Sequence, residues 1–105
     1  MPLNDFDTLK IAIDAACSQE SYLPAESAAS SLGMGFYDDN SKITRTYDRY
    51  YSKSYDDGHL LTLHIWSYDT SKTFDIRPDI NKFEIRLIQN EATVASHTNA
   101  FHDKF

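Results

Sequence analysis

From residue 6 to residue 17, apolar side chains return every three or four positions. Phe6, Leu9, Ile13 and Cys17 form the stripe, Ala12 and Ala16 flank it, and Asp7, Lys10 and Asp14 fall on the opposite side. That spacing is the period of one buried helix face. It predicts a helix over about 5–19, with Asn4 as its N-cap and Asp7 in its first turn. Pro24 can open a second, shorter helix at its first position. The alanines of "AESAASSLGMG" carry that helix to a stop near Gly33 or Gly35. The cluster "YDDNS" at 37–41 reads as a turn.

From residue 42 the period becomes two. "KITRTYDRYYSKSY" is rich in Thr and Tyr and reads as a long strand. Ile43, Arg45, Tyr47, Arg49 and Tyr51 share one side of it. Thr44, Thr46, Asp48 and Tyr50 share the other. "DDG", Asp56 to Gly58, is a tight turn with glycine free to take positive φ. In "HLLTLHIWSY", Leu61, Leu63 and Ile65 point one way, while Leu60, Thr62, His64, Trp66 and Tyr68 point the other. "DTSK" turns the chain again, and "TFDIR" is a short strand closed by Pro78, which belongs at an edge or an end. "KFEIRLIQ" turns Phe83, Ile85 and Leu87 inward. Asn90-Glu91 then turns into a last strand, "ATVASHT". The pattern predicts an α+β fold, with one or two N-terminal helices packed on an antiparallel meander of four or five strands.

Length sets the scale of this object. The 105 residues form a single domain, 1–105, and a chain of this size buries roughly 60–65% of its unfolded surface. No apolar run approaches the ~20 residues that span a bilayer. The N-terminal stretch "MPLNDFDTLK" carries acids where a secretory leader carries bases. A lone cysteine, Cys17, excludes an internal disulfide and fits a reducing compartment. The expectation is a cytoplasmic protein without a membrane partner.

Charge changes the picture more. The net charge is −6. Residues 1–41 hold seven acids (Asp5, Asp7, Asp14, Glu20, Glu26, Asp38, Asp39) against Lys10 alone, whereas the remaining chain is balanced. An acidic surface gives solubility, and it also steers toward a basic partner. It disfavours direct binding of nucleic acid, which needs a basic footprint.

Candidate chemistry is sparse. His59 and His64 are five apart on a strand and face opposite sides, as an odd spacing requires. His97 and His102 are also five apart, and no Cys or acid completes a metal-ligand spacing, so no metal or cofactor is expected. Cys17 lies on an apolar helical stripe, where cysteine acts as a small core residue. Only three glycines are present, and no lysine follows "GMG" to make a phosphate loop. The pairs Asp38-Asp39 and Asp56-Asp57 could serve as acid and base, but adjacent acids in turns are ordinarily solvated. What stands out is Arg45, Tyr47, Arg49 and Tyr51 on one strand side. Arg and Tyr anchor interfaces, because they offer large contact area with a polar tip. The same residues also pair across strands and stabilise a sheet.

With its acidic N-terminal third and tyrosine-rich strand, the chain resembles the small bacterial immunity proteins of toxin–immunity systems, those of contact-dependent inhibition in particular. The resemblance is one of general character, with no motif aligned. It implies a non-catalytic protein whose partner is a basic toxin domain, often a nuclease, held by occlusion of its active site. The surface expected to do this comprises Asp38, Asp39, Arg45, Tyr47, Arg49, Tyr51, Asp56 and Asp57. Two alternatives stand beside it: a nucleic-acid-mimicking inhibitor of a defence nuclease, and a small enzyme with an acid/His site. Which side of the tyrosine strand the helices leave open decides the binding surface, and the sequence does not choose.

Overall fold

The computed structural model describes residues 2–38, 45–68 and 80–102. Two helices, α1 (Pro2–Gln19) and α2 (Leu23–Ser31), precede five strands. The strands are β1 (Gly35–Asp38), β2 (Arg45–Ser54), β3 (His59–Tyr68), β4 (Ile80–Gln89) and β5 (Ala92–His102). All neighbours are antiparallel and the spatial order is β1-β2-β3-β4-β5. The chain is therefore an α+β meander with both helices N-terminal. Among the described residues, no helix is long and apolar enough to cross a membrane.

The apolar stripe of α1 is buried as its spacing predicts. Phe6, Leu9, Ile13 and Ala16 enter the core, and Cys17 packs against it, partly covered. The start of α1 differs from expectation. Asn4 is inside the helix, where its carbonyl accepts the Thr8 hydroxyl at 3.0 Å, and is not an N-cap. Pro2 explains the earlier start, because a first-turn residue needs no N–H. Burial of Ala25 and Ala29 brings α2 close to the rest of the core, and Gly33 at φ +73° ends it. There the Met34 N–H donates to the Ala29 carbonyl at 3.1 Å, so the left-handed residue closes the last turn.

From the sheet, Leu61, Leu63 and Ile65 of β3 and Phe83, Ile85 and Leu87 of β4 meet the helices, all fully buried. The alternation read from the sequence holds on both strands. Helix α1 lies across β3, β4 and β5. Strand β5 runs beyond "ATVASHT" to His102 and buries Phe101 against Phe83, ring centroids 6.0 Å apart. The stretch 35–38 is an edge strand, whereas 37 and 38 were expected in a turn. Its pairing with β2 (Phe36 opposite Tyr51, Tyr37 opposite Tyr50) outweighs the turn-forming composition that follows. The expected strand "TFDIR" lies outside the described residues.

The β2–β3 hairpin fixes the register on which the site depends. The Tyr55 N–H donates to the His59 carbonyl at 2.9 Å and the Gly58 N–H to the Tyr55 carbonyl at 3.1 Å. Gly58 takes φ +88°, which only glycine adopts without strain. This turn sets Tyr50 opposite His64 and Asp48 opposite Trp66.

Candidate binding surface on the open sheet face

The helices cover the side of β2 that holds Arg49, Tyr51 and Lys53. Tyr51 is only 7% exposed and stacks on Phe36, centroids 5.8 Å apart. The Arg49 guanidinium lies 5.2 Å from the Phe36 ring, and its Nη1 is 3.6 Å from Glu26 Oε1 of α2. Lys53 Nζ donates to the Leu32 carbonyl at 2.9 Å and lies 3.5 Å from Asp5 Oδ2 of α1. Arg49 and Tyr51 were expected on a binding surface, and the structure places them on the side that the helices cover. Long side chains on that side can reach helix acids and stay hydrogen-bonded while their stems pack.

The N-terminal acids have the matching role. Asp5 Oδ2 accepts the Tyr55 hydroxyl at 2.5 Å, and burial, with Asp5 beside it, pushes that phenol above its ordinary range. Asp14 Oδ1 accepts His97 Nε2 and Asn99 Nδ2 of β5, both at 2.9 Å. The His97 hydrogen bond, then that of Asn99, holds the Asp14 carboxyl below its usual value. Asp5, Asp14 and Glu26 thus tie the helix layer to the sheet. Cys17, beside Asp14, has its thiol pushed up to about 11, chiefly by burial.

Of the other expected residues, Asp57 belongs to the turn. Its Oδ1 accepts the His59 N–H at 3.1 Å and lies 2.8 Å from His59 Nδ1, and the His59 hydrogen bond lowers its pKa. Asp56 is exposed beside it. The backbones of Arg45 and Tyr47 run in β2, in register with Tyr68 and Ser67, and a register irregularity falls between them. Asp38 ends β1, and Asp39 lies outside the described residues. The eight residues do not gather at one place.

A different set does. On the sheet face away from the helices, Tyr37, Tyr50 and His64 occupy one row across β1, β2 and β3. The Tyr50 and His64 rings stack at 4.0 Å with 7° between planes, and His64 and Trp66 stack at 4.2 Å with 16°. Tyr37 meets Tyr50 at 6.5 Å. Four aromatic rings therefore make one continuous strip across three strands. Tyr37 is 64% exposed and Tyr50 40%. Such a concentration of accessible aromatic surface is the composition of an interface centre.

His64 is fixed from below. Its Nε2 lies 2.6 Å from Asp48 Oδ1, and Asp48 is only 2% exposed. When that nitrogen donates to the carboxylate, the neutral ring's Nδ1 remains an acceptor. Beyond Trp66, toward β5, a groove of about 370 Å³ is bounded by Lys82, Glu84, Thr98 and Ala100. Glu84 also meets Arg86, whose Nε lies 3.2 Å away. Among the described residues, no three His, Cys, Asp or Glu side chains gather as a metal set.

Sequence reasoning came close to this strip. Alternation already placed Asp48 and Tyr50 on one side of β2, and His64 and Trp66 on one side of β3. What it lacked was the cross-strand register that stacks them, and the knowledge of which side the helices take. No protein-family model, curated protein or solved structure matches the chain.

Proposed function

We propose that this chain is a non-catalytic inhibitor of the immunity type, which binds a basic protein toxin through the open face of its sheet. The observation that carries this reading is the uncovered strip of Tyr37, Tyr50, His64 and Trp66. Stacked rings are already ordered in the free protein. They lose little rotamer freedom when a partner covers them, and desolvating them is favourable. The net charge of −6 raises the encounter rate with a cationic partner, while the rings set the off-rate. Three of the N-terminal acids are engaged inside the fold, so steering in this reading belongs to the whole-molecule field rather than to a dedicated acidic docking patch.

The test is co-expression with the protein encoded beside this chain. The expected outcome is growth arrest by that protein alone and normal growth when both are present. Growth in both cases, or arrest in both, contradicts the proposal.

A second reading has one specific observation behind it. A buried Asp48 holding His64 is the geometry that orients an imidazole for proton transfer. On that reading His64→Gln abolishes a chemical activity outright. On the binding reading the same substitution weakens a complex and leaves no reaction to lose.

A further inference from the structure

Strand β5 ends the sheet, and among the described residues no strand lies beyond it. Its eleven residues, Ala92–His102, include no Asp, Glu, Lys, Arg, Pro or Gly. Natural sheet edges are ordinarily blunted by such residues, because a bare edge offers a row of backbone donors and acceptors to any extended chain. The interior strand β4, with Lys82, Glu84 and Arg86, is more heavily charged than this edge. At ~3.4 Å per residue, the edge is about 37 Å long.

A second, independent feature adjoins it. The groove of about 370 Å³ on the open face has Trp66 as one wall and Thr98 and Ala100 of β5 as the other. Trp66, Lys82 and Ala100 stand in one cross-strand row and Glu84 and Thr98 in the next. A strand laid along β5 would project alternate side chains onto this same face. Thr98 and Ala100 are small, so a large side chain from that strand can lean over them into the groove.

We propose that β5 is a strand-addition site. An extended segment of a protein partner pairs with its outer edge and places an aromatic side chain, tyrosine above all, against Trp66. Backbone hydrogen bonds supply the attachment and the groove supplies the selectivity. A phenol suits the groove because its ring matches the indole and its oxygen can reach the Lys82 ammonium. A second copy of β5 suits it poorly: the side chains that β5 itself presents on this face, Ser96, Thr98 and Ala100, are too small to fill it.

This inference rests on the reading of the chain as a protein-binding module. Its test needs no cognate partner, so failure here leaves the aromatic strip to its own experiment. The probe is an acetylated and amidated Thr-Val-Thr-Tyr-Thr-Val-Thr peptide, titrated into the full chain. Trp66 is the only tryptophan, so its emission reports on the groove directly. Amide hydrogen exchange reports on β5. The Tyr peptide should shift Trp66 emission saturably and slow exchange of the β5 amides that do not bond to β4. Replacing its Tyr by Ala, or filling the groove with Ala100→Leu, should weaken binding about tenfold or more. N-methylation of the central peptide bonds should abolish it, and so should a guarding charge at the edge, Thr98→Lys, which alters an exposed position. The proposal is overturned by absence of binding, by binding indifferent to N-methylation, or by β5 amides already protected in the free monomer. A micromolar dimer that Thr98→Lys dissociates would assign the edge to a second copy and overturn it as well.

Discussion

His64 takes its orientation from one buried carboxylate and its environment from two rings. Asp48 is 2.6 Å away, and Tyr50 and Trp66 lie 4.0 and 4.2 Å from the imidazole centroid. Each of these neighbours was visible in the sequence as a position on the right side of its strand. The contacts were not, because a side chain's neighbour across a sheet depends on turn geometry several residues away. Tyr51 shows the converse. Read alone, it is as good an interface anchor as Tyr50, and only the placement of the helices buries one and exposes the other. Two residues give direct chemical tests. Burial holds the Cys17 thiol near 11 against an ordinary value of 9.0, so at pH 8 it carries about a hundredfold less thiolate than in the unfolded chain. Its reaction with a disulfide reagent should therefore be slow in the native protein and accelerate by about that factor in denaturant. Asp14 has its folded pKa depressed below 3.8, so its stabilising contribution is present above the unfolded value and lost as pH falls through the folded one. Its side chain is half exposed, which limits the effect to about 0.5 kcal/mol. Asp14→Ala should thus melt lower than the parent at pH 7, and the gap should close below about pH 3, as followed by circular dichroism.

At the scale of elements, periodicity located both helices and the three longest described strands. It failed at two boundaries for identifiable reasons. Helix α1 begins at Pro2 because proline is tolerated where no N–H is required, and the apolar stripe gives no signal in that first turn. Strand β1 was hidden because Tyr37 and Asp38 lead into an Asp-Asn-Ser cluster that reads as a turn. The β4–β5 turn was legible in position but not in cost. Asn90 and Glu91 both have positive φ, at 52° and 65°, and join paired Gln89 and Ala92. Two consecutive left-handed residues make the turn type that favours Asn-Gly, and glutamate in the second place bears the Cβ penalty. Glu91→Gly should stabilise the protein by about 1 kcal/mol, read as a higher urea midpoint with an unchanged slope. The opposite result would mean that the Glu91 side chain makes a compensating contact. The helix–sheet ties behave differently. Removing Asp5 leaves Lys53 and the Tyr55 hydroxyl without their shared acceptor at a partly buried site. Asp5→Ala should cost about 1–2 kcal/mol by the same measurement.

For the whole molecule, the acidic bias of the first third has a structural meaning that composition alone did not reveal. The helices carry the excess acids and the sheet carries bases and hydroxyls that receive them: Glu26 faces Arg49, Asp5 faces Lys53 and Tyr55, and Asp14 faces His97. Charge complementarity between layers accompanies the apolar core, and the sheet's second face is left to an aromatic strip. The two-layer architecture was legible from the change of period at residue 42; the division of labour between its faces was not. The central claim is that the open face is where a protein partner docks. It is tested most directly by the dissociation constant for the protein encoded beside this chain, measured by calorimetry for Tyr50→Ser on the open face and Ile11→Ser on α1. Both residues are exposed, at 40% and 71%, so both variants should keep the parental melting temperature. The account predicts that Tyr50→Ser weakens the complex about tenfold or more while Ile11→Ser leaves it unchanged. Equal affinity for Tyr50→Ser and the parent, with the loss at Ile11→Ser instead, would place the partner on the helices and contradict the account.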